Sequence, residues 1–167
     1  LAPQENEMPL VRLDTTYRFG PDTAEFIKDT VYAKDGIDYT SDRNVTTIDI
    51  QHTASTDPLT HSFEGSEITL ITYSCDKNFQ QVNQVEAAIS QALLLNHHED
   101  ASVGLVTPHN AQRSRLQEML RALEQNEKPT PTIELGTTTH VETVERFQGG
   151  QQDLMIVSAT ASDPQYI

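Results

Sequence analysis

Apolar residues in this chain come in short blocks separated by polar stretches, and the spacing inside the blocks differs. Ile68–Tyr73 and Ser102–Val106 are brief runs rich in β-branched and aliphatic residues, of strand length. Leu154-Met155-Ile156-Val157 is a third, continuous enough to predict a strand buried on both faces. Between the first two, Val85, Ala88, Ile89, Ala92 and Leu93 recur at helical period. A helix is therefore predicted over Asn83–Leu95, with Asn83 and Glu86 at capping-box spacing. After Val106, Thr107-Pro108 has the form of a helix start, with Thr as N-cap and Pro at the first helical position. Leu116, Met119, Leu120 and Leu123 supply that helix with a buried stripe.

Upstream, Val11-Arg12-Leu13 predicts a short strand. Asp22-Thr23-Ala24-Glu25 has capping-box spacing and predicts a helix to about Ala33, with Phe26, Ile27, Val31 and Tyr32 on one face. Near the other end, His140–Val144 predicts a strand end and Phe147–Gln152 a polar, Gly-centred turn. Strands alternating with helices predict an α/β domain with a mostly parallel sheet and helices on both faces. One domain is expected over residues 11–167, with 1–10 frayed. Residues 34–67, rich in Asp, Thr, Ser and Gly, read as an insertion or long connection with one strand at Val45–Ile50. The strand–turn–strand around residues 140–158 places backbone N–H groups at the C-terminal edge of a sheet, where open α/β folds bind nucleotides.

Charge narrows the function. With 25 acidic and 11 basic residues the chain carries a net −14, which argues against a free nucleic-acid-binding module with a basic face at ordinary salt. A Lys-poor, carboxylate-rich surface fits a high-salt cytoplasm, where repulsion is screened; an acidic mesophilic protein is the other reading. Cys75 is the single cysteine, which excludes an intrachain disulfide and a thiolate metal cluster. His97-His98-Glu99 are neighbours that point in different directions at a helix end, so no metal site is expected. No signal peptide or apolar run of membrane-spanning length is present, which implies a cytoplasmic protein without a membrane partner. A first residue of Leu fits a segment of a longer protein.

Three stretches resemble, in order, segments of superfamily 1 helicases, above all the branch of the nonsense-mediated-decay RNA helicases and the nuclease-linked DNA replication helicases. Thr143, Val144, Phe147, Gln148, Gly149, Asp153 and Ser158 resemble motif V, with Gln151 where that family usually has Glu. Tyr17-Arg18, followed by a helix ending in Val31-Tyr32, resembles the family's Tyr-Arg segment. Gly104, Thr107, Pro108 and Gln112 resemble its strand-loop-helix segment. Asn83, Glu86 and Ala87 are similar to its N-x-x-E-A helix start.

The resemblance implies the second of two RecA-like domains, a three-layer fold of the P-loop NTPase type, in an ATP-driven motor on single-stranded DNA or RNA. It implies that Arg18 contacts the γ-phosphate and Tyr17 the adenine side. It places Gln148, Gly149 and Gln151 at the nucleotide edge and Thr107, His140 and Thr143 near the nucleic-acid backbone. The sequence has no G-x-x-x-x-G-K-[ST] phosphate loop. ATP with Mg would thus be shared with the first RecA-like domain, which holds the metal, and the chain alone is expected not to hydrolyse ATP. A degenerate binding module that kept the fold and lost the motor is the alternative, favoured by Gln151 and the acidity.

Overall fold

The computed structural model describes residues 13–43, 66–95, 101–124 and 139–163. These fall into two compact units, one holding 13–43 and 66–70, the other the remainder.

In the smaller unit, strand β1 (Thr15–Thr16) pairs in parallel with β2 (Thr40–Ser41), Thr15 opposite Thr40 and Thr16 opposite Ser41. Helix α1 (Pro21–Ile27) follows β1. Its N-cap is Gly20 and Pro21 stands in its first turn, so the expected cap at Asp22 is not made. The free N–H of Thr23 is satisfied from elsewhere: it and the Thr23 hydroxyl both donate to Glu67 Oε2 at 3.1 Å.

After Ile27 the helix widens into a π-turn over Lys28–Tyr32 and tightens over Ala33–Asp35. The Thr30 hydroxyl donates to the Phe26 carbonyl at 2.7 Å and competes with the backbone for that acceptor. The extra residue in the turn breaks the i, i+4 spacing, and Phe26 and Val31 are exposed rather than sharing a buried face; Ala24 is the residue that α1 buries. Gly36, at φ +62°, ends the segment in the left-handed region. Lys28 Nζ lies 2.5 Å from Asp38 Oδ1. That hydrogen bond raises the Lys28 pKa above 10.5, so the pair stabilises below that value and is lost as pH rises past the folded one. Both groups are solvated and the pair matters little.

The larger unit contains α2 (Gln84–Leu95), β3 (Val103–Thr107), α3 (Asn110–Glu124), β4 (Thr139–Thr143) and β5 (Leu154–Val157). The sheet order is β4-β3-β5, all parallel, with Leu105 opposite both Val141 and Ile156. Central β3 is buried at all five positions, which its run Val-Gly-Leu-Val-Thr suits. Val103, Leu105, Val141 and Ile156 share one sheet face and pack with Ala87 and Leu94 of α2 and Leu116, Met119 and Leu120 of α3. Leu116 has no exposed surface, so Leu116→Ala is expected to lower the unfolding free energy by about 3 kcal/mol in urea titration.

Both described helices of this unit therefore lie on one face. The opposite face carries Gly104, Val106, His140, Met155 and Val157. Met155 and Val157 are 41% and 68% exposed, so β5 alternates instead of being buried on both sides. The connection from β4 to β5 runs across this face. These strands are parallel and separated by β3, so residues 144–153 must cross back over the sheet. The connection brings the Phe147 ring onto β3. A Cβ on Gly104 would stand 2.9 Å from Phe147 Cζ and 2.7 Å from Met155 Sδ, so a larger residue would have to displace these two side chains.

Three local expectations shift. Helix α3 begins at Asn110, with the His109 carbonyl accepting from Arg113 N at 3.0 Å. Thr107 stays in β3 because a residue before proline is held extended. Of Val11–Leu13 only Leu13 is described, and the strand forms at Thr15–Thr16 instead. Ile68–Tyr73 is divided between the two units and forms no strand. Val45–Ile50 and His97–Glu99 lie outside the described residues.

Candidate functional site

In the smaller unit the Tyr17-Arg18-Phe19 loop joins β1 to α1. Its main chain is tied down from two sides. Arg18 N donates to Thr16 Oγ1 at 3.2 Å. From the end of β2, Ser41 Oγ donates to the Phe19 carbonyl at 2.6 Å, and just after it Arg43 Nη1 donates to the Arg18 carbonyl. The Tyr17 hydroxyl lies 3.5 Å from Asp42 Oδ2. Behind the loop, the Phe19 and Tyr32 rings flank Tyr39 at centroid distances of 6.4 and 5.0 Å. The backbone is thus held while Tyr17, 72% exposed, and Arg18 present their side chains to solvent. A planar guanidinium and an aromatic face on a braced loop suit a phosphate and a base respectively.

In the larger unit Thr107 and Thr143 are opposite each other at the C-terminal ends of β3 and β4. Both are buried. The Thr107 carbonyl accepts from Val144 N at 3.1 Å, and the Thr143 carbonyl accepts from Arg146 N and Phe147 N at 3.0 and 2.9 Å. The Thr107 hydroxyl meets Thr160 Oγ1 at 2.8 Å. Neither hydroxyl faces outward; the pair sets the paths of the loops at 108–109 and 144–147. His140, by contrast, is exposed on the face that carries Phe147. Gln148, Gly149 and Gln151 are exposed in the crossover. Gly149 has φ +87°, and Gly150 N donates to the Phe147 carbonyl at 2.8 Å, which closes the turn.

A third cluster is one that sequence reasoning leaves as separate matches. Asn83 caps α2, its Oδ1 accepting from Val85 N and Glu86 N at 3.1 Å. The reciprocal half of the capping box is not made by Glu86. Instead Gln112 Oε1 accepts from Asn83 N at 2.8 Å, and Gln112 Nε2 donates to the Asn83 carbonyl and to Ser158 Oγ, both at 3.0 Å. Glu86 turns to the segment after β5: its Oε2 accepts from Ser158 Oγ at 2.5 Å and from Thr160 N at 2.9 Å. Asn83 Nδ2 donates to the Thr160 carbonyl at 3.1 Å. Thr160 has φ +72°, which a β-branched residue rarely adopts, and these bonds hold it there. Helix α2, helix α3 and the end of β5 are thereby joined through buried polar groups.

Among the described residues no group of three or more His, Cys, Asp or Glu could hold a metal ion. Among the described residues no helix is long and apolar enough to cross a membrane.

The family model AAA_12, described as an AAA domain, matches residues 2–166. Neither the curated proteins nor the solved structures yield a match. Parallel strands with packed helices are those of a RecA-like, P-loop NTPase-type α/β domain of the sort found in superfamily 1 helicases. The family match spans nearly the whole chain, and the chain belongs to the AAA_12 family of AAA domains.

Proposed function

We propose that this chain is the second RecA-like motor domain of an ATP-dependent superfamily 1 helicase of the nonsense-mediated-decay and nuclease-linked replication branch. The observation that carries the reading is the exposed Tyr17-Arg18 pair on a loop whose backbone is fastened on both sides. An arginine presented in this way suits the terminal phosphate of ATP held by a first RecA-like domain, and Tyr17 suits its base. ATP, when bound, supplies the phosphoryl group whose transfer drives movement. The first domain brings the phosphate loop and the magnesium ligands. Gln148, Gly149 and Gln151 contribute polar and backbone groups to the nucleotide edge.

On the nucleic-acid side, His140 contacts the strand directly. Thr107 and Thr143, buried as they are, act by placing the loops at 108–109 and 144–147 against its backbone. The partner is single-stranded DNA or RNA, and the setting is a high-salt cytoplasm, where screening reduces repulsion between the net charge of −14 and the strand.

Gln151, which keeps hydrogen bonding without a carboxylate charge, favours a second reading: a binding module without motor activity. ATP hydrolysis by the complete gene product, measured with and without single-stranded DNA and RNA across a salt series, separates the two. Turnover that a strand stimulates supports the motor. No turnover at any salt leaves the binding module.

A further inference from the structure

We infer that Arg43 is a positioning residue for Arg18, setting through the Arg18 main chain the place at which that guanidinium meets phosphate. The inference rests on the proposed role of Arg18. Its basis is a division of labour in the residues after β2. The β1–β2 pairing is made by backbone groups alone: Thr40 N donates to the Asp14 carbonyl at 2.8 Å and Asp42 N to the Thr16 carbonyl at 3.1 Å. Neither bond involves the Arg43 side chain. Arg43 is itself anchored, its N–H donating to Ser41 Oγ at 3.1 Å, and from there its guanidinium donates to the Arg18 carbonyl.

Arg18 is therefore held at both of its main-chain polar groups. Thr16 Oγ1 takes its N–H and Arg43 takes its carbonyl, which leaves the side-chain torsions as the freedom of Arg18. Ser41 Oγ does the same for the carbonyl of Phe19. A carbonyl exposed on a loop would ordinarily be satisfied by water at no loss of stability. Spending an arginine on it fixes position instead, since the planar fork is a stiffer donor than an ammonium.

The test is strand-stimulated ATP hydrolysis by the complete gene product, in a cycle of Arg18→Ala, Arg43→Ala and the double variant. Displacing a catalytic group by about 1 Å can lower a rate roughly 100-fold. Arg43→Ala is accordingly expected to lower kcat by about 10- to 100-fold with little change in the KM for ATP. Arg43→Lys, which still reaches a carbonyl with one donor, is expected to recover part of the loss. In the Arg18→Ala background, removal of Arg43 is expected to change nothing further, because a residue that acts through Arg18 has nothing left to position. A merely structural role would persist in that background and would lower the unfolding midpoint. Since the Arg43 side chain is exposed, the midpoint of Arg43→Ala is expected to match that of the wild type.

Three results overturn the inference. If Arg18→Ala is severe and Arg43→Ala is silent, the brace has no role, though the assignment of Arg18 stands. If the loss from Arg43→Ala persists in the double variant, Arg43 acts independently of Arg18. If Arg18→Ala is itself silent, the motor role of Arg18 and the positioning role of Arg43 fall together.

Discussion

Arg18→Ala is expected to lower strand-stimulated ATP hydrolysis by the complete gene product by roughly 10³- to 10⁵-fold, the range an arginine supplies when it offsets charge on a transferring phosphoryl group. The physical basis is that phosphoryl transfer needs little covalent help from protein and much electrostatic help in a fixed place. Arg18 meets both requirements. Its guanidinium is a planar, delocalised cation, and its main chain is tied to Thr16 and Arg43. The loss should fall on kcat, since a charge that develops during transfer is weaker in the bound ground state. Arg18→Lys should recover only a fraction, because an ammonium cannot present two parallel donors to the phosphate. The decisive measurement is steady-state turnover with saturating single strand. Robust turnover that ignores Arg18 would show that the Tyr17-Arg18 loop does not face the nucleotide.

The second large effect is on stability. Gln112→Ala is expected to lower the unfolding free energy by roughly 3–5 kcal/mol, more than its size suggests. The Gln112 amide uses both of its donors and one of the two lone pairs on its oxygen. Oε1 takes Asn83 N, and the two Nε2 protons go to the Asn83 carbonyl and Ser158 Oγ. The site is fully buried, so truncation strands both backbone groups of the α2 N-cap and leaves a cavity. Each buried group left without a partner costs about 1–3 kcal/mol. Adding Ser158→Ala to Gln112→Ala should cost less than the sum of the single variants, since one orphaned hydroxyl disappears with its partner. Urea denaturation of the four chains measures both numbers. A loss below about 1 kcal/mol for Gln112→Ala would mean that water replaces the amide and that the cluster is not the joint described above.

Features that depend on a few neighbouring residues were legible in the sequence. The α2 helix and its Asn83 cap follow from apolar period and a side chain acting three residues away. Strands β3 and β5 follow from their aliphatic runs. The Tyr17-Arg18 pair and the glycine turn at Gly149 stood out by residue type, and the order of the matching segments pointed to a superfamily 1 helicase-like RecA-type domain, with which the family match is consistent. What failed locally did so where two local rules compete. Thr107-Pro108 obeys the rule for a helix start and also the rule that extends a residue before proline, and strand pairing with Thr143 decides for the second. Likewise Thr30 can continue a helix or bond back to Phe26, and it does the latter.

Tertiary structure alone decided which distant residues meet. Gln112 completes the cap of a helix that starts at Gln84, and Glu86 holds Thr160 in a left-handed conformation from far along the chain. Segment 34–67 carries no readable pattern, yet Ser41 and Arg43 within it brace the loop that carries Arg18. The reason is the same in each case. Periodicity and capping act within a turn or two of chain and leave a trace in spacing. A hydrogen bond between residues brought together by a parallel sheet leaves none, because its geometry exists only once the strands have paired.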